Sequence, residues 1–298
     1  MSLSDTFSYN KDEIFKERFN LISKDYDILR LIFHRKTRTA IICKSKKDNT
    51  KYFIKIISLN SICGDEEQIY KILKSKPHKN INKYHDYYKT DKYCIIINEY
   101  VDGHNLKNFI TSNPNLSEDF KKNIFKQMVM GIKHLHMNNI IHNDIKLENT
   151  LIDKNNNVYI IDFDLSIILK KDANNYLSDK IMGTKNYISP ESFHLSLYSK
   201  KSDIWSLGVV LFYLMTNQFP FSDLISIIES ANLISRRNLF KYPNLKILYK
   251  MLSDKEFDIS VVSLIESMLS FIDEQRPSCK KILNNKWFQI KKFETSEY

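Results

Sequence analysis

The first hundred residues alternate short apolar runs with polar turns. Runs rich in β-branched and aromatic residues occupy positions 28–32, 40–43, 52–57, 81–88 and 93–98. Polar residues separate these runs, as at residues 47–49. Because strands favour β-branched and aromatic side chains and end at polar turns, the first three runs predict an antiparallel meander, and the last two predict two more strands.

Helical patterns surround and follow these strands. Residues 65–73 place apolar side chains on one side of a helix, and the charged residues 1–20 fit a short arm or helix. A long amphipathic helix is predicted over residues 117–137, with Ser117 as its N-cap. Residues 200–290 are also mainly helical in pattern. We therefore expect a small β-rich part, a larger helical part and a cleft between them, where small-molecule sites commonly lie.

Four polar residues carry a common chemistry in the middle of the chain. Residues 142–149 read His-Asn-Asp-Ile-Lys-Leu-Glu-Asn, and a predicted strand pair follows them. Phosphoryl transfer needs a carboxylate to orient the attacking hydroxyl, a cation to neutralise the moving phosphate and oxygen ligands for Mg²⁺. These groups are supplied by Asp144, Lys146, Asn149 and Asp162.

The segment resembles the catalytic loop H-R-D-x-K-x-x-N of eukaryotic-type Ser/Thr protein kinases, and residues 162–164 resemble the D-F-G that follows it. Residues 183–191 resemble the G-T-x-x-Y-x-A-P-E that ends the activation segment. The resemblance covers residues 26–288 and implies a two-lobe α+β fold. Its expected parts are a β-rich lobe with one main helix, a hinge, a helical lobe and an N-terminal extension, at residues 26–98, 99–103, 104–288 and 1–25.

The resemblance implies transfer of phosphate from ATP to Ser/Thr hydroxyls of a protein substrate. Asp144 is then the catalytic base, Lys146 steadies the γ-phosphate, and Asn149 and Asp162 hold Mg²⁺, with Mn²⁺ as an alternative. The residues expected to bind the nucleotide are Ile32, Ala40, Lys55, Glu66, Glu99 and Val101.

Glu66 is preferred to Glu67 as the helix partner of Lys55. Four residues after Glu66 stands Tyr70, which suits a core, whereas the same offset from Glu67 reaches Lys71. The resemblance also assigns structural roles: His142 packs, Asp203 caps the catalytic-loop backbone, and Glu191 forms a buried bidentate ion pair with Arg276.

Several positions depart from the kinase pattern. The expected glycine-rich loop falls at residues 32–40, where Phe33, Arg35 and Arg38 stand in place of the glycines. Glycine allows close approach of backbone to phosphate. Here Arg35, Lys36 and Arg38 either contact phosphate by charge or form a solvated basic hairpin tip. Three more departures affect the turn after Asp162, the catalytic loop and the depth of the adenine pocket: Asp164, Asn143 and Asn98.

The change at Asn143 bears on regulation. In many kinases an arginine at this position binds a phosphate on the activation segment, here residues 165–182. A neutral amide cannot make that charge-assisted contact. Phosphorylation of the candidate acceptors should therefore add little order, unless lysines at positions 170, 171 and 180 substitute; these acceptors are Ser166, Tyr176 and Ser178.

Two other function classes compete with an active kinase. The missing glycines and the Asp164 substitution favour a pseudokinase that binds partners, whereas the retained lysine and carboxylates favour an enzyme. The net charge of +10 suggests a nucleic-acid-binding protein. However, 38 Lys against 7 Arg with only three Ala fits an AT-rich coding bias, and argues against nucleic-acid binding.

The remaining composition predicts an intracellular, cytoplasmic chain with no membrane association. The longest uncharged apolar run, residues 204–215, is shorter than the ~20 residues of a membrane span. The N-terminus lacks the charged and apolar regions of a signal peptide. The four cysteines form no C-x-x-C pair, so neither a zinc site nor a disulfide framework is expected.

Overall fold

The computed structural model describes residues 12–61, 65–221, 250 and 257–289. Contacts divide the chain into two compact units, and the division falls between Asp102 and Gly103. Most of the expected helical stretch between residues 222 and 256 lies outside the described residues. No helix in the described ranges has the length and apolar character needed to cross a bilayer.

The first unit contains a five-stranded antiparallel sheet and two described α-helices. Its elements are α1 (Glu13–Asn20), β1 (Tyr26–Arg35), β2 (Arg38–Ser45), β3 (Lys51–Ser58), a 3₁₀ turn (Leu59–Ser61), α2 (Glu66–Ser75), β4 (Tyr84–Lys89) and β5 (Tyr93–Glu99). The strand order is β1-β2-β3-β5-β4, so β5 lies between β3 and β4. The predicted antiparallel meander is confirmed for β1, β2 and β3. The two further predicted strands are also present, although β4 begins at Tyr84 rather than at residue 81.

The two faces of this sheet carry different side chains. Tyr52, Ile54 and Ile56 of β3 join a buried apolar cluster that also contains Phe15 and Ile22. The chain before β1 therefore packs onto this face and completes the core. The alternating residues Phe53 and Lys55 fall on the opposite face, as period-two alternation predicts.

The second unit is mainly helical in its described part. Its elements begin with β6 (Gly103–Asn105), α3 (Leu106–Ser112), α4 (Glu118–Met137), β7 (Ile140–Ile141), a 3₁₀ turn (Leu147–Asn149), β8 (Thr150–Asp153), β9 (Val158–Ile160), β10 (Ile167–Ile168) and β11 (Asn175–Leu177). They continue with α5 (Pro190–Leu195), β12 (Leu197–Ser199), α6 (Lys200–Thr216), α7 (Ile259–Met268), a 3₁₀ turn (Asp273–Gln275), α8 (Cys279–Leu283) and a last 3₁₀ turn (Lys286–Phe288). Ser117 accepts a hydrogen bond from the Phe120 amide and caps α4, as the sequence predicts.

The core of the second unit is built around α6. Fifteen of its residues, from Ser202 to Thr216, are buried, which is typical of a helix enclosed on all sides. The predicted ion pair lies beside it: Arg276 donates from Nη1 and Nη2 to the two carboxylate oxygens of Glu191, at 2.7 Å each. The predicted α+β architecture, a β-rich part followed by a helical part, is confirmed.

Candidate active site

The catalytic loop lies between β7 and β8, and a buried aspartate holds its backbone. Asp203, at the start of α6, accepts hydrogen bonds from the amides of His142 at 2.9 Å and Asn143 at 3.0 Å. His136 of α4 also contacts the Asp203 carboxylate, at 2.9 Å. Loops usually expose their backbone to water, so these contacts to α6 give the loop a fixed conformation. The role predicted for Asp203 is confirmed.

His142 packs under the loop as predicted. Its ring is fully buried, its Nε2 lies 3.1 Å from the Ile161 carbonyl oxygen, and its Nδ1 lies 3.2 Å from the Asp144 amide nitrogen. An amide can only donate and a carbonyl can only accept, so both contacts are satisfied by a neutral imidazole protonated on Nε2. His142 therefore orients the Asp144 backbone and acts as a structural residue.

The Asp144 carboxylate is the centre of a dense hydrogen-bond cluster. The Lys146 ammonium donates to its Oδ2 at 2.6 Å, and the Asn149 amide nitrogen donates to the same oxygen at 2.8 Å. The Thr184 hydroxyl donates to Oδ1 at 2.6 Å and accepts from Lys146 at 2.8 Å. A buried carboxylate needs such hydrogen-bond partners to replace its lost hydration. The loop residues predicted to act together are thus adjacent.

Thr184 was not among the predicted site residues. Its sequence signal was the G-T-x-x-Y-x-A-P-E resemblance, but that motif gives no distance to a loop forty residues earlier. The structure brings its hydroxyl between Asp144 and Lys146, where it bridges a carboxylate and an ammonium.

Asn149 and Asp162 supply oxygen atoms of the kind that Mg²⁺ prefers. The Asn149 side-chain nitrogen donates to the Asp144 carbonyl and carboxylate oxygens, so Oδ1 is the atom with which this side chain could coordinate a cation. The Ile161 amide donates to the Asn149 carbonyl oxygen at 3.0 Å, which ties the residue before Asp162 to the loop. Asp162 has a φ of 68°, a left-handed conformation that costs energy outside glycine and often marks functional sites.

The donor set fits magnesium bound together with phosphate. Among the described residues, no three His, Cys, Asp or Glu side chains are arranged to hold a metal ion by themselves. Mg²⁺ is commonly held by one or two protein oxygen ligands, substrate phosphates and water rather than by an all-protein cage. One carboxylate and one amide oxygen match that pattern.

In the first unit, Lys55 pairs across the sheet with Ala40 of β2 and Ile96 of β5. Lys55 and Glu66 are both buried, at 8% and 4% exposure. Glu67 instead receives hydrogen bonds from Lys71 at 2.8 Å and Lys89 at 2.6 Å, which lower the pKa of Glu67 to about 2. The burial pattern therefore favours Glu66 as the acidic residue for Lys55.

The other residues expected to bind nucleotide lie in β1, in β2 and at and after the end of β5. Ile32 lies in β1 and is 39% exposed, whereas Ala40 is fully buried. Glu99 ends β5, and Val101 follows it without regular structure. The Asn98 amide donates to the Lys83 carbonyl oxygen at 3.4 Å.

The activation segment is bonded to the rest of the second unit at several points. β10 pairs with β7, and β11 pairs with β12. Tyr198 contacts both backbone polar groups of Met182 through its hydroxyl. Of the three candidate phosphate acceptors, Ser166 is fully buried, and its hydroxyl donates to the His142 carbonyl oxygen at 3.0 Å. Tyr176 is exposed, and Ser178 is half-buried.

Comparisons with known proteins agree with this geometry. A family model described as "Protein kinase domain" matches residues 36–288. The chain is 28% identical to calcium-dependent protein kinase 4 of Plasmodium berghei, across 95% of this chain and 52% of that protein. It is 34% identical to serine/threonine-protein kinase PrkC of Bacillus subtilis, across 73% and 34% of the two chains. It is 30% identical to the ovarian-specific serine/threonine-protein kinase Lok of Drosophila melanogaster, across 89% and 54%. The chain thus spans between about a third and about half of these relatives' lengths.

Proposed function

The chain belongs to the protein kinase family, and from this premise we propose that it is an active Ser/Thr kinase that transfers the γ-phosphate of ATP to protein hydroxyls. The observation that carries the proposal is the cluster of Asp144, Lys146, Asn149 and Thr184, in which each polar side chain hydrogen-bonds to another. Retention of this cluster supports catalysis, because these groups have no shared use in a chain that only binds partners. Relatives named serine/threonine kinases support the hydroxyl class.

In this proposal Asp144 orients the attacking hydroxyl and accepts its proton. Phosphoryl transfer depends mostly on positioning and on electrostatic stabilisation, so a rigid carboxylate is an advantage. Asn149 and Thr184 fix the two carboxylate oxygens from different directions. The substrate hydroxyl would compete with these donors for a lone pair of Asp144.

Lys146 supplies positive charge beside that carboxylate. Its ammonium lies between Asp144 and Thr184. There it would stabilise the negative charge of the phosphoryl group during its transfer from ATP. Mg²⁺, when bound, neutralises the phosphates and orients them. Asn149 and Asp162 are the proposed ligands for that ion. In the first unit, Lys55 is proposed to bind the α- and β-phosphates, with Glu66 as its partner.

A pseudokinase remains the second candidate, because Asp164 replaces a glycine and is buried at 6% exposure. One experiment separates the two. The chain is incubated with Mg²⁺, γ-labelled ATP and a mixed protein substrate such as casein, and the labelled residues are identified after acid hydrolysis. Nucleotide binding is measured in parallel by calorimetry.

Label on phosphoserine and phosphothreonine supports the proposed function. ATP binding without label transfer to any protein would overturn the catalytic proposal in favour of the pseudokinase. Label on phosphotyrosine alone would contradict the hydroxyl class. The variant Asp144→Asn should lose the label, and Asp119→Asn is its control, because it removes an exposed carboxylate from the first turn of α4.

A further inference from the structure

Arg18 of α1 is fully buried against the hairpin that joins β1 to β2. Its Nη1 donates to the Arg35 carbonyl oxygen at 2.7 Å and to the Thr39 hydroxyl at 3.0 Å. Its Nη2 donates to the Lys36 carbonyl oxygen at 2.6 Å and to the Ser58 hydroxyl at 3.0 Å. One side chain therefore binds two successive carbonyls of the hairpin turn.

Arg18 makes no ion pair among the described residues. Its guanidinium instead lies over the Tyr93 ring, 5.2 Å from the ring centre, and donates to four oxygen atoms. Burying a charge without a carboxylate is costly unless dipoles and hydrogen bonds replace the lost water. The hairpin carbonyls supply part of that replacement, so the helix and the turn stabilise each other.

The turn itself is one that needs such support. β1 and β2 pair as far as Arg35 opposite Arg38, which leaves Lys36 and Thr37 as a two-residue connection. Two-residue hairpins favour turns with positive φ, usually at glycine or asparagine, because these match the twist of the strands. Lys36 and Thr37 are not among the described residues with positive φ. Contacts from outside the hairpin must therefore hold its tip.

A second chain of contacts runs from the hairpin to the start of α1. Thr39 accepts from Arg18, and its hydroxyl lies 2.7 Å from Nδ1 of His34. The His34 Nε2 lies 3.1 Å from the Asp12 carboxylate, whose other oxygen accepts from the Ile14 and Phe15 amides as the N-cap of α1. The cap of the helix and the hairpin are thus parts of one hydrogen-bond network.

This network lies on one face of the sheet. Directly paired residues of antiparallel strands share a face, so the His34–Thr39 and Thr39–Ile56 pairs face the α1 side. The alternating pairs Phe33–Ala40, Arg35–Arg38 and Ala40–Lys55 face the other side. Arg18 therefore contacts the hairpin from the α1 side of the sheet. The opposite face carries Lys55, Arg35 and Arg38.

We infer that α1 contributes to nucleotide binding and that Arg18 is the residue that positions the β1–β2 hairpin for it. The clamp is the set Asp12, Arg18, His34 and Thr39. The clamp holds the β1–β2 hairpin in one conformation before ATP binds. This hairpin stands where the glycine-rich loop is expected. A loop that is already ordered binds its ligand more tightly, because binding does not have to offset the entropy lost when the loop becomes ordered. The inference rests on the proposed function, since it concerns the same ATP site.

The test compares Arg18→Met with Lys16→Met in the full chain. Lys16 is exposed on the same helix, so both variants remove one positive charge from α1. Amide exchange of peptides covering residues 33–40 is measured without nucleotide, and ATP affinity is measured by calorimetry. We expect faster exchange and about tenfold weaker ATP binding in Arg18→Met only, which is about the cost of ordering one residue. The kcat should change little, because the second-unit cluster is untouched.

A folded Arg18→Met chain with parent-like hairpin exchange and ATP affinity would overturn the inference and leave the proposed function standing. A parent chain that binds no ATP would overturn both. If Arg18→Met does not fold, Thr39→Val tests the same network with an isosteric side chain. It removes the hydroxyl that contacts both Arg18 and His34, and it should raise the ATP Kd by a factor of about five, on the order of one net hydrogen bond's contribution. An unchanged Kd in Thr39→Val would then overturn the inference.

Discussion

The Asn143 side chain donates to the carbonyl oxygen of Leu165 at 2.9 Å, so the residue before Asp144 is bonded to the first residue of the activation segment. The Asn143 backbone has a φ of 63°, and its Oδ1 is buried with no hydrogen-bond partner among the described residues. A neutral amide thus contacts the activation segment directly, at the position where an arginine would bind a phosphate on that segment.

This contact predicts that activity is independent of activation-segment phosphorylation. One preparation is treated with phosphatase and another is preincubated with ATP, and their initial rates of phosphotransfer are compared. Equal rates are expected, because hydrogen bonds already connect the activation segment to the rest of the second unit. A lag, or a tenfold loss of rate after phosphatase treatment (about 1.4 kcal/mol), would contradict this prediction.

Salt should weaken ATP binding if Arg35 and Arg38 bind phosphate by charge. Their backbones pair at the hairpin tip, and Arg35 is exposed, so added salt screens them. The KM for ATP is expected to rise with ionic strength in the parent and to stay nearly constant in an Arg35→Gly, Arg38→Gly double variant. A KM that ignores both salt and the substitutions would show that the tip is a solvated surface.

The sequence alone predicted which polar residues of the loop lie together, but not their long-range partners. One short loop contains Asp144, Lys146 and Asn149, so their close spacing in the sequence already predicts that they lie near one another. Arg18 meets Thr39 only because α1 folds back onto the sheet, and no local pattern of a charged helix encodes that contact. A charged residue on a short amphipathic helix is usually solvated, so its burial could not be expected.

Replacing Arg276 by methionine should destabilise the second unit strongly. Arg276 is 1% exposed, and its removal leaves the Glu191 carboxylate without its main partner. Breaking a buried pair from one side typically costs roughly 3–5 kcal/mol. The control is Lys71→Met, which breaks an exposed pair with Glu67 and should cost less than about 1 kcal/mol. Urea unfolding of both variants measures the difference, and similar midpoints would refute the prediction.

Burial should make Cys43 and Cys279 unreactive in the native chain. Desolvation raises the pKa of each thiol to about 12, which disfavours the nucleophilic thiolate near neutral pH. Iodoacetamide at pH 8 is expected to label both cysteines only after unfolding, as read by peptide mass spectrometry. Native labelling at the rate of a free thiol would contradict the burial.

The same shifts predict how stability depends on pH. The folded state favours the neutral thiols, so their contribution is complete below the unfolded pKa, about 8.5. It falls as pH rises from there toward about 12. The free energy of unfolding should therefore decrease above pH 8.5, and a Cys43→Ala, Cys279→Ala double variant should show a smaller decrease. An identical alkaline slope in the parent and the variant would rule out this cause.

The most direct test of the account is the phosphotransfer rate of Asp144→Asn at saturating ATP and Mg²⁺. The substitution keeps the shape of the side chain but removes the charge that Lys146, Asn149 and Thr184 hold in place. We predict a loss of at least about 100-fold in kcat, the lower range for removing a general base, with ATP affinity close to that of the parent. A variant that phosphorylates protein as fast as the parent would contradict the central claim.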